Sequence, residues 1–583
     1  MRPFVRTSYS TIRAKVFFAV VLSFFALILT SGMSAQSTPA QPVADSAPLS
    51  LSEIRGLLEQ TQRLIREQGA QLEAQRQQIA NQQKQLDTLQ QQLGQTLAQA
   101  AGASSGSAPT TAAVAQPVQS PATTVTTTAP QTAQNGELKQ NATDAAPLSV
   151  RIGNAQFTPG GWVDFTTIYR TTDVGSGNGT TFASIPFNNT AAGLLSETRF
   201  SAQSSRFSLR AEEKIKNAKL QAFVEADFNG YLASNAYVTT SPASLRLRLA
   251  FINASFGKWD VMGGQDWSLL TPNRRGLSPF PSDIFNTFHV DTNYQVGLTY
   301  ARQAVLRAVY HPGKDSAIGL SLENPEQYTG PGVTFPTLFS TSQVDLNSGT
   351  NAGGGTATPN LHPDVIAKIA EDAHLGERLW HFEVAGLLHG IRIATPASVT
   401  KQTSVTEDKE GGAISANINL EIFKRLHLIA DSYWSDGGGR YLGGLGPDFA
   451  AAQLGSTKAP FTAQLIHSGG GLGGFEWQAT KSTVLSAYYG GAYYGRAWSV
   501  DPSSATGGLV GYGFQGSANT NNRAVQEGSF SSVTTLWKNP TYGSFQLITQ
   551  GSYVNRSPWY VAPGAPKNAH VYMQFVNLRY ILP

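Results

Sequence analysis

Hydrophobic residues are spaced in two different ways along this chain, and the change of period divides it. Leu51, Leu58, Ile65, Leu72, Ile79, Leu86 and Leu93 stand one heptad apart, the repeat that winds helices together with an apolar seam inward. The partner core positions hold Ile54, Thr61, Gln68, Gln75, Gln82, Leu89 and Thr96, and such polar layers trade stability for register and oligomer number. The spacing predicts an α-helical coiled coil over residues 49–97, of three chains rather than two because glutamine layers suit a wider core. The alternative is a lone solvated helix. Residues 98–149, rich in Ala, Thr, Pro and Gln without any repeating apolar face, read as a disordered linker.

From residue 150 to residue 583 the period is two. Lys219, Gln221, Phe223, Glu225 and Asp227 alternate with Leu220, Ala222, Val224, Ala226 and Phe228, the mark of a strand with one wet and one greasy face. Arg206, Ser208 and Arg210 alternate likewise with Phe207, Leu209 and Ala211, and Ala317, Gly319, Ser321 and Glu323 with Ile318, Leu320 and Leu322. Brief turns near Lys216, Gly257, Gly313, Gly376, Lys424, Lys481 and Pro540 separate long segments near 173–196, 229–243, 267–299, 325–361, 394–409, 436–468, 496–525 and 557–567. Seven short and eight long connections join about sixteen antiparallel strands. The fold class expected is therefore an all-β transmembrane barrel over residues 150–583, preceded by the coiled coil. Both barrel ends fall at the short-turn side, which puts the coiled coil in the periplasm. Trp380, Trp434, Trp477, Tyr488, Tyr489, Trp537 and Tyr580 are expected in the interfacial aromatic girdles.

Composition supports this picture at two points. Arg2, Arg6, Arg13 and Lys15 precede an apolar run at 16–29 and the small residues Gly32, Ser34 and Ala35, a secretory signal expected over residues 1–35. Its four cations equal the whole formal net charge of +4, so the remainder is neutral and offers nucleic acid nothing. The chain has no cysteine, which rules out disulfides and thiolate metal sites.

No enzyme motif is found: neither a Gly-x-Ser-x-Gly elbow, nor His-Glu-x-x-His, nor a phosphate loop. His374, His381 and His389 with Glu383 are better explained as scattered lumen residues than as metal ligands, and no cofactor is expected. Selectivity in a barrel rests on charge at its narrowest point. Arg206, Arg210, Arg246, Arg248 and Arg307 are expected on lumen faces of neighbouring strands, with Leu245, Leu247 and Leu249 opposite Arg246 and Arg248. These five form either a basic ladder suited to carboxylates or an ordinary wall in which Glu212, Glu225 and Asp227 neutralise them. The third long connection begins at Gly263-Gly264-Gln265-Asp266-Trp267 and is the candidate constriction. There Arg274 and Arg275 would extend the basic wall while Asp283, near His289, and Asp291 face it in a transverse field. An exposed loop with incidental charges is the alternative.

The signal, Gln-rich heptad helix, linker and sixteen-strand barrel together resemble the DcaP-like trimeric porins. Local matches are Gly263-Gly264-Gln265-Asp266-Trp267, Gly438-Gly439-Arg440-Tyr441, Arg556-Ser557-Pro558-Trp559 and the closing Asn577-Leu578-Arg579-Tyr580-Ile581-Leu582-Pro583. The resemblance implies a homotrimer in the bacterial outer membrane, in contact with its lipid, that passes small anions such as dicarboxylates through an arginine-lined constriction. Two other functions fit the same residues: an envelope-tethering or adhesive protein with the barrel as anchor, and a sugar-specific channel using Tyr488, Tyr489, Tyr493 and Tyr494 as a slide.

Overall fold

A computed structural model describes residues 148–230, 244–330, 332–346 and 359–583. The signal, coiled coil and linker through residue 147 lie outside the described residues. The rest is one closed antiparallel barrel. Its strands are β1 (Ala155–Arg170), β2 (Glu197–Ser201 continued by Arg206–Ile215), β3 (Ala218–Asp227), β4 (Arg246–Phe256), β5 (Trp259–Trp267), β6 (Arg302–Tyr310), β7 (Ser316–Glu323) and β8 (Asp364–Leu375). They continue with β9 (Arg378–Thr395), β10 (Val405–Phe423), β11 (Leu426–Asp436), β12 (His467–Gln478), β13 (Thr483–Tyr494), β14 (Asn522–Asn539), β15 (Gly543–Pro558) and β16 (Ala569–Ile581).

Each strand pairs with its sequence neighbours, and β1 closes the cylinder on β16 from Trp162↔Ile581 to Arg170↔Met573. Closure leaves no sheet edge to template aggregation. The short segment Val150–Ile152 folds back on Ala155–Phe157, covering the part of β1 that β16 does not reach. At Gly161, beside the handover to β16, φ is +123° and an added Cβ would lie 2.1 Å from the Arg206 carbonyl oxygen. Only glycine fits there.

The expected strand order and the alternation of short turns with long connections are both present. Along each strand one face is exposed and apolar, the other buried and polar. Val163, Phe207, Leu209, Val224, Leu306, Leu320, Leu322, Ile369 and Phe530 point outward, while Asp164, Arg210, Gln221, Glu225, Asn253, Ser321, Glu383 and Asn577 are buried in the interior. This is inverted relative to a soluble barrel and suits hydrocarbon outside. Exposed aromatics gather at both rims: Phe256, Trp259, Phe423, Trp477, Trp537 and Tyr542 near the short turns, and Tyr169, Phe200, Trp434, Tyr493 and Tyr572 near the long connections.

Two expectations of facing are corrected. Leu249 is 0 % exposed rather than lipid-facing, because a bulge opposite Glu225 and Ala226 shifts the register of β4 and turns both Arg248 and Leu249 inward. Bulges place two residues against one and so break the alternation. Tyr488 is 3 % exposed and belongs to the interior, not to a girdle.

The outward assignment has a direct test. Leu320→Arg, in the middle of an outward face, is expected to lower unfolding stability in bilayers by about 2–4 kcal/mol. Ser208→Arg, facing the lumen from β2, is expected to cost less than half as much in the same urea titration.

Candidate functional site

A connection that runs inside a barrel cannot hydrogen-bond to a ladder, so its amides must find acceptors on wall side chains. Residues 268–301, between β5 and β6, solve this by touching strand after strand around the lumen. The Leu269 N–H donates to Glu323 of β7 at 2.7 Å, and the Asn273 N–H to Glu383 of β9 at 3.0 Å. Gly276 donates to Asp372 of β8 at 3.1 Å, Thr299 to Asp431 of β11 at 2.9 Å and Val296 to Glu527 of β14 at 2.9 Å. Val290 and Asp291 both donate to the Gln550 side-chain oxygen of β15, at 2.7 and 3.1 Å. The Lys368 ammonium of β8 holds the Thr271 carbonyl at 2.8 Å and Glu383 at 2.7 Å.

The wall opposite that backbone is made of glycine. An added Cβ on Gly490 of β13 would lie 2.0 Å from the Val296 carbonyl oxygen. Gly297, with φ +94°, has its own Cβ position 2.1 Å from the Gly471 carbonyl of β12. Gly471 of β12 and Gly490 of β13 are therefore where the loop backbone seats on the wall.

The charges expected to shape this loop are placed otherwise than expected. Arg274 forms a two-pronged ion pair with Glu476 of β12 at 2.7 and 2.9 Å, and stacks over Phe285 and Phe288. Tyr488 donates to the same Glu476 at 2.7 Å. Arg275 pairs with Asp283 at 2.6 Å at the loop's exposed edge. Asp291 accepts from the Thr180 and Asn293 N–H groups. No transverse field results, because Arg274 and Arg275 each meet their own carboxylate and Asp291 is taken by backbone donors.

His381 bridges Asp372 at 2.6 Å and Glu383 at 2.9 Å, and His389 bonds Asp364 at 2.7 Å, while His374 is exposed beside a turn. Among the described residues no group of such side chains is arranged to hold a metal.

The five arginines of β2, β4 and β6 all face the interior, and each has a carboxylate. Arg206 lies 3.3 Å from Glu225, Arg210 3.2 Å from Glu212, and Arg307 3.1 Å from Asp266. Arg248 spans Glu225 at 2.8 Å and Asp227 at 2.9 Å, and Arg246 grips Asp227 at 2.8 Å. The paired wall is thus the arrangement present, and the ladder of free cations is not.

Two residues unforeseen in the sequence alter its balance. Arg579 of β16 pairs with Asp164 at 2.8 Å, and with Arg206 it clasps the Trp162 ring at 4.7 and 4.3 Å. Arg302, at the start of β6, stacks over Trp267 at 5.1 Å and meets no carboxylate among the described residues. Among the described residues, the ion pairs of Arg206, Arg246, Arg248, Arg302, Arg307 and Arg579 involve only Asp164, Glu225, Asp227 and Asp266. The Nε atoms of Arg206 and Arg307 find no acceptor among the described residues. The signal for Arg302 was present in Asp266-Trp267, which sets a ring beside the next strand's first residue.

At the long-connection end the lumen opens into a cavity of about 740 Å³. Arg246, Arg248, Arg302 and Arg440 line it with Gln265, Gln303, Asn178, Asn293, Tyr300 and Tyr328, and with the carboxylates Glu326 and Asp345.

The barrel has solved structures of similar fold. The outer membrane channel DcaP of Acinetobacter baumannii matches with 15% identity over 73% of this chain and 97% of that chain, at a TM-score of 0.50. The fold is that of a DcaP-like outer-membrane channel. The anion-selective porin of Comamonas acidovorans matches at 10% identity over 73% of this chain and 100% of that one, with a TM-score of 0.40. OprB of Pseudomonas putida matches at 9% over 73% and 94%, with a TM-score of 0.37. At these identities the DcaP-like match is one of fold. No protein-family pattern matches the chain, and no curated protein sequence does.

The close contact at Gly490 makes the seating of this loop testable. Gly490→Val is expected to push residues 295–298 off β13 and raise single-channel conductance by roughly half or more. Gly551→Ala, with open space around its Cβ, is expected to leave conductance unchanged.

Proposed function

We propose that the protein is an outer-membrane porin through which small hydrophilic solutes diffuse, with a preference for anions such as dicarboxylates. The observation that carries this reading is the excess of guanidinium groups on the β16–β6 side of the lumen, where Arg302 has no carboxylate and Arg246 and Arg248 line the cavity beside it. Fixed cations along a narrow passage raise the local concentration of anions. At about 4 Å and an effective dielectric near 20, one unit charge is worth about 4 kcal/mol to an approaching carboxylate.

Every other arginine on this wall already shares a carboxylate, which tempers its grip. Passage requires binding strong enough to enter and weak enough to leave. A solute carboxylate would meet Arg302 first, be shared with Arg246 and Arg248, and leave past Arg206 and Arg210 towards the short-turn end. The tyrosines of β13 support no sugar slide, because Tyr489 and Tyr493 face outward while Tyr488 is bonded to Glu476.

Trimer formation and a periplasmic coiled coil belong to the same proposal. The heptad seam supports three chains, and the start of β1 and the end of β16 lie at the short-turn end of the barrel.

Reversal potentials across planar bilayers under a KCl gradient test the selectivity. The wild type is expected to prefer chloride, and Arg302→Gln combined with Arg246→Gln to reduce that preference at least twofold. A cation-selective wild type, or an unchanged potential in the double variant, would sink the reading. Deleting residues 49–97 is expected to lower the trimer fraction in cross-linking while leaving the reversal potential unchanged.

A further inference from the structure

Outside the barrel, the long-connection end of β13–β15 carries charge that the pore does not use. Arg496 and Arg523 are exposed and stack on the same Trp559 ring, at 4.8 and 6.0 Å. Tyr493 meets that ring edge-on at 5.9 Å, and the Trp559 Nε1–H donates to the Tyr494 carbonyl at 2.9 Å. Gly513 supports the ring from the neighbouring connection: an added Cβ there would lie 2.7 Å from Trp559 and 2.8 Å from the Arg496 side chain. The platform is therefore fixed before anything binds to it.

Neither arginine has a carboxylate in ion-pair range among the described residues. The acidic residues nearest in sequence are turned away. Asp501 is buried and bonds Thr337 at 2.7 Å, and Glu527 faces the lumen, where it holds Val296. No Asp or Glu occurs from residue 551 to residue 583, a stretch that also carries the exposed Lys567. Towards the middle of the barrel, the same outer face continues in exposed Tyr489, Phe530 and Tyr553.

We propose that this platform binds the phosphate groups of a phosphorylated lipid in the surrounding leaflet. The inference rests on the membrane-spanning reading of the barrel, though not on its ion selectivity. Two forked donors held on one ring suit phosphate oxygens better than point charges do. Stacking on the indole lowers the ordering cost of binding. Aromatic residues beneath suit the boundary between headgroup and acyl chain, so the lipid would place its phosphates on the arginines and its chains on Tyr489 and Phe530. A carboxylate-free strip is what a polyanionic headgroup requires, and an aqueous surface has no need of such a strip beside hydrocarbon.

The test uses the refolded full chain in neutral detergent, diphosphoryl lipid A as probe, and native mass spectrometry to count retained lipid. The wild type is expected to retain it, Arg496→Gln/Arg523→Gln to bind at least tenfold more weakly, and equimolar inorganic phosphate to leave retention unchanged. The double variant should keep the wild-type reversal potential, which shows that its barrel is intact. Equal retention by the double variant would overturn the proposal, and so would displacement by inorganic phosphate, which would mark a site for the free ion. Lipid retention by a wild type without anion preference would sink the porin selectivity and leave this inference standing.

Discussion

The constraint on which this structure depends is the need of residues 268–301 for hydrogen-bond acceptors. A connection drawn inside a barrel leaves its own peptide groups without a ladder, and an unpaired buried N–H costs about 1–3 kcal/mol. The wall answers with carboxylates and amides on many different strands. Glu323, Asp372, Glu383, Asp431 and Glu527, with Gln550, each take one or two loop amides. No single bond secures the loop, and its path is fixed by where inward side chains of sufficient length happen to stand.

That solution also sorts the charge. Glu323, Asp372, Glu383, Asp431 and Glu527 turn to loop amides, and on β12 Glu476 is held by Arg274. What stays available to a passing solute is the other side, where guanidinium groups outnumber carboxylates. Sequence net charge, neutral beyond residue 35, conceals this separation. The surplus of guanidinium groups on that side follows from where the carboxylates are spent, not from an excess of arginine in the chain.

Strand number, order and connection lengths were all legible in the sequence, because period-two alternation and turn residues report directly on a two-faced wall. The inward facing of Arg206, Arg210, Arg246, Arg248 and Arg307 was legible for the same reason. Their partners were legible only as alternatives, since Glu225 and Asp227 occupy the same face whether or not they reach the arginines. Leu249 was misread because a bulge is a local break in the very alternation used to read it. Tyr488 was misread because girdle and lumen tyrosines differ only in parity, and its run, Tyr488-Tyr489, places one on each face. Arg302 went unread because it begins a strand, where parity is least defined.

The glycines of β12 and β13 show most clearly what the pattern could not convey. Gly469, Gly470, Gly471, Gly473 and Gly474 with Gly490 and Gly491 weaken β propensity, and no turn explains them. For Gly490 the reason lies in another segment, about 200 residues away in the chain, whose Val296 carbonyl fills the space a side chain would occupy. A cavity-filling loop therefore leaves two kinds of trace in a barrel sequence. Inward acids and amides mark the strands it bonds, and glycines mark the points where its backbone touches the wall. Here Glu476 and Gly471 put both traces on one strand, β12, and the loop meets that strand twice: through the Arg274 side chain and through its backbone at Gly297.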